Sequence, residues 1–251
     1  MQSKFEPFLD QTRPLFLQRM PLDPTLRILV LAPHPDDFDT IGVTLRTLQA
    51  NGNPIDLAVL TSGASGVEDD FGPELTLQRK AALREQEQRA SCRFFGLPSA
   101  QLTFLRLSED SEGHPQLSEN NLVLLKAYWD AHLPDIVCLP HGNDSNPGHQ
   151  RTYRLFRQIM ETQSINLVAL LARDPKTITM RSDVFTTFGE AEALWKGELL
   201  RFHRTQHERN LKTRGHGIDE RILRVNREAA KDLGGEAEYA EVFELESLNL
   251  H

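Results

Sequence analysis

The chain has 251 residues, enough for one large domain with a substantial core or for two small ones. Its formal charge of −8 argues against a general nucleic-acid binder or a ligand of anionic membranes, so neither partner is expected. Hydrophobic residues at 39% and charged ones at 25% are the balance of a soluble globular fold, and the two cysteines, Cys92 and Cys138, lie inside apolar patterns and read as reduced core thiols.

Residues 1–25, with Pro7, Pro14, Pro21 and Pro24, form an N-terminal extension expected to hold little regular structure. The opening residues lack a signal-peptide apolar stretch and no run is long enough to span a bilayer, so a cytoplasmic location is expected. Residues 28–32, Ile-Leu-Val-Leu-Ala, read as a fully buried strand. Pro33 and Pro35 stop it, and the turn that follows presents His34, Asp36 and Asp37 side by side. Holding an imidazole and two carboxylates together costs free energy, which a divalent cation would offset. The plainer role for the same residues is an acidic turn capping a helix that starts near Asp39.

A helix is predicted from residue 41 to Asn51-Gly52, and a second strand over 55–61. The small-residue loop 62–66 reads as a flexible, substrate-side loop, since it lacks the lysine of a phosphate-binding loop. Residues 75–95 form a long amphipathic helix on which Arg84 and Glu87 share a face. A third strand (102–107), a polar loop to His114 and a helix (117–132) follow. Residues 135–140 form a strand resembling the first, which runs into a loop carrying His141 and His149 and then a helix over 150–160. Beyond it lie strand-like stretches at 167–171 and 177–180, helices over 190–208 and 219–233, and a final strand over 239–248.

This alternation predicts an α/β fold: a Rossmann-like, doubly wound, mostly parallel sheet with helices on both faces and a C-terminal elaboration, residues 26–251 forming a single domain. With strand order 3-2-1-4, the loops after the first and fourth strands open into one crevice. His34, Asp36 and Asp37 would there face His141 and His149, more than a hundred residues away in sequence. Two imidazoles and a carboxylate with an open position suit zinc, and ferrous iron equally well.

Pro33-His34-Pro35-Asp36-Asp37 followed by a small-residue helix resembles the LmbE-like (PIG-L) family of metal-dependent N-deacetylases. Weaker echoes follow in the family's order: the Thr61-Ser-Gly loop, Arg84-x-x-Glu87, Asp144-x-Asn-Pro-Gly-His149, Phe202-His203-Arg-Thr-Gln206 and Tyr239-Ala-Glu241-Val-Phe243. The resemblance implies a metal held by His34, Asp37 and His149, with Asp36 as general base. It also implies an acyl group removed from the amide nitrogen of an N-acetylated sugar or sugar conjugate. Arg84, Asp110 and His203 are then candidates for substrate contact.

Three departures stand out. Phe38 replaces the family's usual glutamate, and Asn146 and Gly148 replace the histidine and aspartate of its usual His-Pro-Asp-His. Asn146 can donate a hydrogen bond to an oxyanion but cannot protonate a leaving amine. His141 is therefore the expected general acid, with His203 as a further source of the proton. His114, His132, His207, His216 and His251 receive no role. A competing function is that of a ligand-binding module that keeps the metal and has lost turnover. The C-terminal elaboration is expected to cover the crevice or to form a homo-oligomer interface.

Overall fold

The computed structural model describes residues 4–9, 12–72 and 75–250. In chain order its helices and strands are α1 (Glu6–Leu9), β1 (Leu15–Phe16), β2 (Ile28–Ala32), α2 (Asp37–Thr40), α3 (Gly42–Ala50), β3 (Ile55–Val59), α4 (Leu77–Phe95) and β4 (Leu102–Phe104). There follow α5 (Glu119–His132), β5 (Ile136–Pro140), α6 (Pro147–Glu161), β6 (Leu167–Ala172), β7 (Val184–Phe188), α7 (Glu190–Arg201), α8 (Arg204–Arg214), α9 (Ile218–Lys231) and β8 (Tyr239–Leu248).

Among the described residues the strands form one sheet in the order β1-β7-β8-β6-β5-β2-β3-β4. From β4 to β6 every pairing is parallel, and β2 lies between β3 and β5. This is the predicted 3-2-1-4 arrangement. All five residues of β2 are buried, as a central strand covered on both faces requires. Ile28, Val30 and Ala32 pack with Leu45 and Leu48 of α3, Phe95 of α4 and Leu199 of α7. Leu29 and Leu31 point the other way, toward Leu125 and Trp129 of α5 and Leu155, Phe156 and Ile159 of α6. Alternate side chains of one strand thus feed two separate cores.

Beyond β6 the sheet changes character. β8 runs antiparallel to both β6 and β7, and β1 closes the far edge against β7. The C-terminal elaboration therefore extends the sheet, with α9 packed on β7 and β8 through Ala229 and Ala230. The N-terminal segment joins the same core through Phe5, Phe8, Leu17 and Leu22, with α1 and β1 as its short regular pieces.

Several elements differ from expectation. The third strand ends at Phe104, because Arg106 adopts a left-handed conformation (φ 49°) that ends the ladder. Thr177 makes only an isolated bridge to Asp144, and the strand falls instead at β7. The helix predicted over 190–208 is two helices, and His203, at the N-cap of α8, lies in the break.

Candidate active site

The carboxyl ends of β2, β3, β5 and β6 open into a cavity of about 290 Å³. The first loop is fixed by Thr61, whose N–H and hydroxyl both donate to the Pro33 carbonyl, at 3.0 and 2.7 Å. Within it the His34 N–H donates to Asp37 Oδ2 at 2.8 Å, and His34 Nδ1 lies 3.2 Å from the same oxygen. From the loop after β5, His149 brings its Nε2 to 3.4 Å from Asp37 Oδ1. His149 is placed there by α6, whose N-terminus is set by Pro147 at the first helical position and by Asn146 as N-cap, its Oδ1 accepting from the Gly148 N–H at 3.0 Å.

The donor atoms of His34, Asp37 and His149 all lie within 4.8 Å of one another. Two donors about 2.1 Å from a tetrahedral ion stand about 3.4 Å apart; His34 Nδ1 and His149 Nε2 each come that near to Asp37, at 3.2 Å from Oδ2 and 3.4 Å from Oδ1 respectively. The three residues fit a metal site by donor type and spacing. A second acidic group, Asp144 and Asp174, also surrounds His149. It meets the other ring nitrogen, Nδ1, at 3.3 and 3.9 Å. Asp144 is fully buried and already accepts from the Asn146 N–H at 2.6 Å and from Thr177. Asp144 thus faces the edge of the His149 ring away from Asp37, where a carboxylate would steady the imidazole were Nε2 to hold a metal.

The electrostatics agree. Burial opposes charge on His149, but Asp37 and Asp174 outweigh it and raise its pKa well above the usual imidazole range. Burial likewise opposes charge on Asp37, and His149 and His34 overcome it, so Asp37 stays ionised. The two shifts have one cause, the attraction between the His149 imidazole and the carboxylates around it.

Asp36 stands apart from this donor set. It sits at φ 113°, a left-handed conformation that costs a non-glycine residue on the order of 1–3 kcal/mol. One face of α4 holds it there. Gln88 Oε1 accepts from the Asp36 N–H at 3.0 Å; Arg84 Nη2 donates to the Pro35 carbonyl and lies 3.4 Å from Asp36 Oδ1. Burial raises the pKa of Asp36, and Arg84 only partly opposes it. Gly63, at φ 62°, admits Arg84 to this position, since a Cβ there would come within 3.2 Å of its Nε.

The Phe202-His203-Arg-Thr-Gln206 stretch locks the same wall. His203 Nε2 pairs with Asp39 at 2.6 Å, and Gln88 reaches Asp39 from the other side at 3.1 Å. Glu87 accepts from the Thr205 N–H and hydroxyl at 2.8 and 2.7 Å, and Gln206 donates to the Gly66 carbonyl at 2.8 Å. Arg84 and Glu87 do share a face, 3.7 Å apart, yet the main partner of Glu87 is the start of α8.

His34, Asp36, Asp37, Arg84, Asn146 and His149 all line the cavity. Three other expected site residues do not. His141 is turned toward Glu244, 3.2 Å from its Oε2, and its Nδ1 accepts from the Asn143 N–H, so it braces the loop after β5. Asp110 organises its own loop, accepting from the N–H groups of Glu112 and His114 and from Arg151 at 2.5 Å. Its pKa falls to about 2, led by the His114 N–H bond. His203 is fully buried against Asp39. Conversely, the cavity includes His114, Asp174, Lys176, Arg209 and Arg221, which carried no sequence signal. Lone residues on separate loops have no spacing to betray them.

Comparison with known proteins bears on this geometry. The PIG-L family model, described as GlcNAc-PI de-N-acetylase, matches residues 29–160, from β2 through α6. No curated protein matches the sequence. Among solved structures, the chain is similar to N,N'-diacetylchitobiose deacetylase from Pyrococcus horikoshii (TM-score 0.72, 20% identity, 88% of this chain and 83% of that one). It is also similar to GalB, the 4-carboxy-2-hydroxymuconate hydratase of Pseudomonas putida KT2440 (TM-score 0.66, 16% identity, 88% and 96%). A third is the zinc-inhibited form of teicoplanin deacetylase Orf2 (TM-score 0.63, 14% identity, 90% and 100%). At such identities these likenesses establish the shared fold.

Proposed function

Because the chain belongs to the PIG-L family, we propose that it is a metal-dependent N-deacylase that removes an acetyl group from the amide nitrogen of an N-acetylated sugar or sugar conjugate. One observation carries this reading: a half-buried carboxylate, Asp36, adjoins the His34/Asp37/His149 donor set in one cavity yet lies outside it. Zinc or ferrous iron held by those three residues would supply Lewis acidity, activating a water and polarising the amide carbonyl. Asp36 takes the proton of the attacking water as the carbon–oxygen bond forms. With its pKa raised by burial, the same carboxyl holds that proton at its Oδ and returns it to the departing amine. This assigns to Asp36 the acid step expected of His141, which faces Glu244. Arg84 keeps the carboxylate aimed, and the side-chain amide nitrogen of Asn146, which makes no hydrogen bond to a described residue, donates to the oxyanion.

The test is elemental analysis of the purified chain followed by an amine-release assay on N-acetylated amino sugars. We expect about one metal equivalent, as one three-donor site provides, with turnover abolished by chelation and restored by zinc or ferrous ion. Metal-saturated protein that releases no amine would overturn the proposal in favour of a metal-retaining binding module, or of water addition as named for the hydratase of the same fold.

Gly148 gives a second prediction. A Cβ at this position would lie 2.7 Å from His34 Cε1 and 2.8 Å from its Nε2. Restoring even a methyl group where the family usually has aspartate must therefore displace the His34 ring. Gly148→Ala is expected to weaken metal affinity by about 10–100-fold, read by competition with a chromogenic chelator. Unchanged affinity would show that His34 does not ligate.

A further inference from the structure

The chain as a whole is acidic, yet four cations line the cavity: Arg84 from α4, Lys176 from the β6–β7 connection, Arg209 from α8 and Arg221 from α9. Two of them are already engaged. Arg84 serves Asp36 and the Pro35 carbonyl, and Arg209 Nε is 3.0 Å from Glu68. The other two are free: among the described residues neither the Arg221 guanidinium nor the Lys176 ammonium has a hydrogen bond or an ion pair. Arg221 is half-buried, and burial lowers its pKa against the opposing pull of Asp174. Asp174 is itself occupied, since its Oδ1 accepts from the Lys176 N–H at 2.9 Å and lies 3.9 Å from His149.

A partly dehydrated guanidinium without a counter-ion is costly unless a ligand supplies one. Arg84 and Arg209 already face carboxylates of their own, Asp36 and Glu68, which leaves Arg221 and Lys176 as the lining cations with no ion pair among the described residues. Ile218 and Ile222 border the same cavity and are almost wholly buried against Leu200, which fixes the face of α9 from which Arg221 projects. Both free cations also lie beyond residue 160, outside the stretch that the family model matches.

On the deacylase reading above, we propose that the substrate carries an anionic group, a carboxylate or a phosphate, and that Arg221 and Lys176 bind it within the cavity that holds the donor set. The guanidinium fork takes two oxygens of the anion while the ammonium, from the β6–β7 connection, adds a point charge. The substrate is thereby oriented by its charge, with its amide left for Asp36.

The experiment is calorimetric titration of the full chain with three probes: N-acetylglucosamine, N-acetylglucosamine 1-phosphate and N-acetylmuramic acid. At least one charged probe is expected to bind about 10-fold or more tightly than the neutral sugar at low salt, with the advantage shrinking as salt rises. Whichever charged probe wins identifies phosphate or carboxylate as the source. Arg221→Gln should cost the charged probe about 10-fold and the neutral sugar less than about 3-fold. Lys176→Gln, on an exposed side chain, gives a smaller loss of the same kind and guards against a folding defect at position 221. Equal affinity for all three probes, or full charge preference in the doubly substituted chain, would overturn the subsite. Charge preference without amine release would leave the subsite standing and overturn the deacylase reading; amine release without charge preference would do the reverse.

Discussion

Replacing Asp36 by asparagine is expected to lower kcat by about 10²–10⁴-fold, the usual worth of a positioned general acid–base, while metal content stays unchanged. The substitution is close to isosteric. It keeps the backbone N–H that donates to Gln88, and asparagine tolerates the left-handed conformation at φ 113° as well as aspartate does. What it removes is the ability to accept and return a proton. Steady-state kinetics beside elemental analysis separate this outcome from loss of the metal, which Asp37→Ala or His149→Ala should cause. A kcat within about threefold of the native value would place the base elsewhere.

The pH dependence follows from the same environment. Burial raises the pKa of Asp36 and the Arg84 charge opposes it, so the acidic limb of kcat/KM should respond to the charge at position 84. Activity rises as pH climbs through that limb, because the base must be ionised to act. Arg84→Met removes the opposing charge and should move the limb to higher pH. A limb that moves to lower pH in that variant would contradict the pairing seen at 3.4 Å.

How much of this was legible depends on the kind of signal each element leaves. β2 and β5 were readable because a strand covered on both faces must be apolar at every position, and their pairing carried the loops of His34 and His149 together. The face of α4 was half-readable. Arg84 and Glu87 show helical spacing, but that Gln88 would brace the strained Asp36 depends on where α4 packs, which no periodicity encodes. The break at His203 left no trace, because no proline interrupts residues 190–208 and their one glycine, Gly197, lies within α7. What stops the helix there is tertiary: His203 is drawn to Asp39 and Thr205 to Glu87. The same logic hid His114 and Arg221, single polar residues whose meaning comes from the wall opposite them.

The largest effect on stability is expected at a buried charge that does not itself line the cavity. Lys196 on α7 is wholly inaccessible, and its Nζ bonds Glu241 of β8 at 2.6 Å, Asn226 of α9 at 2.8 Å and the carbonyl of Thr40. Glu241 in turn accepts from the N–H groups of Val43 and Thr44 at 3.0 and 2.7 Å, capping the start of α3. Five elements are thereby tied at one point, including the turn that carries Asp36 and Asp37. Lys196→Met removes the cation and strands the Glu241 carboxylate, for which about 3–5 kcal/mol of destabilisation is expected. In a chain of this length that corresponds to a fall in Tm of roughly 6–20 °C. Burial lowers the Lys196 pKa even against Glu241, so the charge is tolerated there more than it is favoured. The double variant Lys196→Met/Glu241→Gln should therefore recover much of the loss, since it leaves no unpaired charge and the introduced amide oxygen still accepts from the start of α3. Thermal unfolding of both variants decides the matter: a single variant that melts with the native chain would mean that the pair does not hold these elements together.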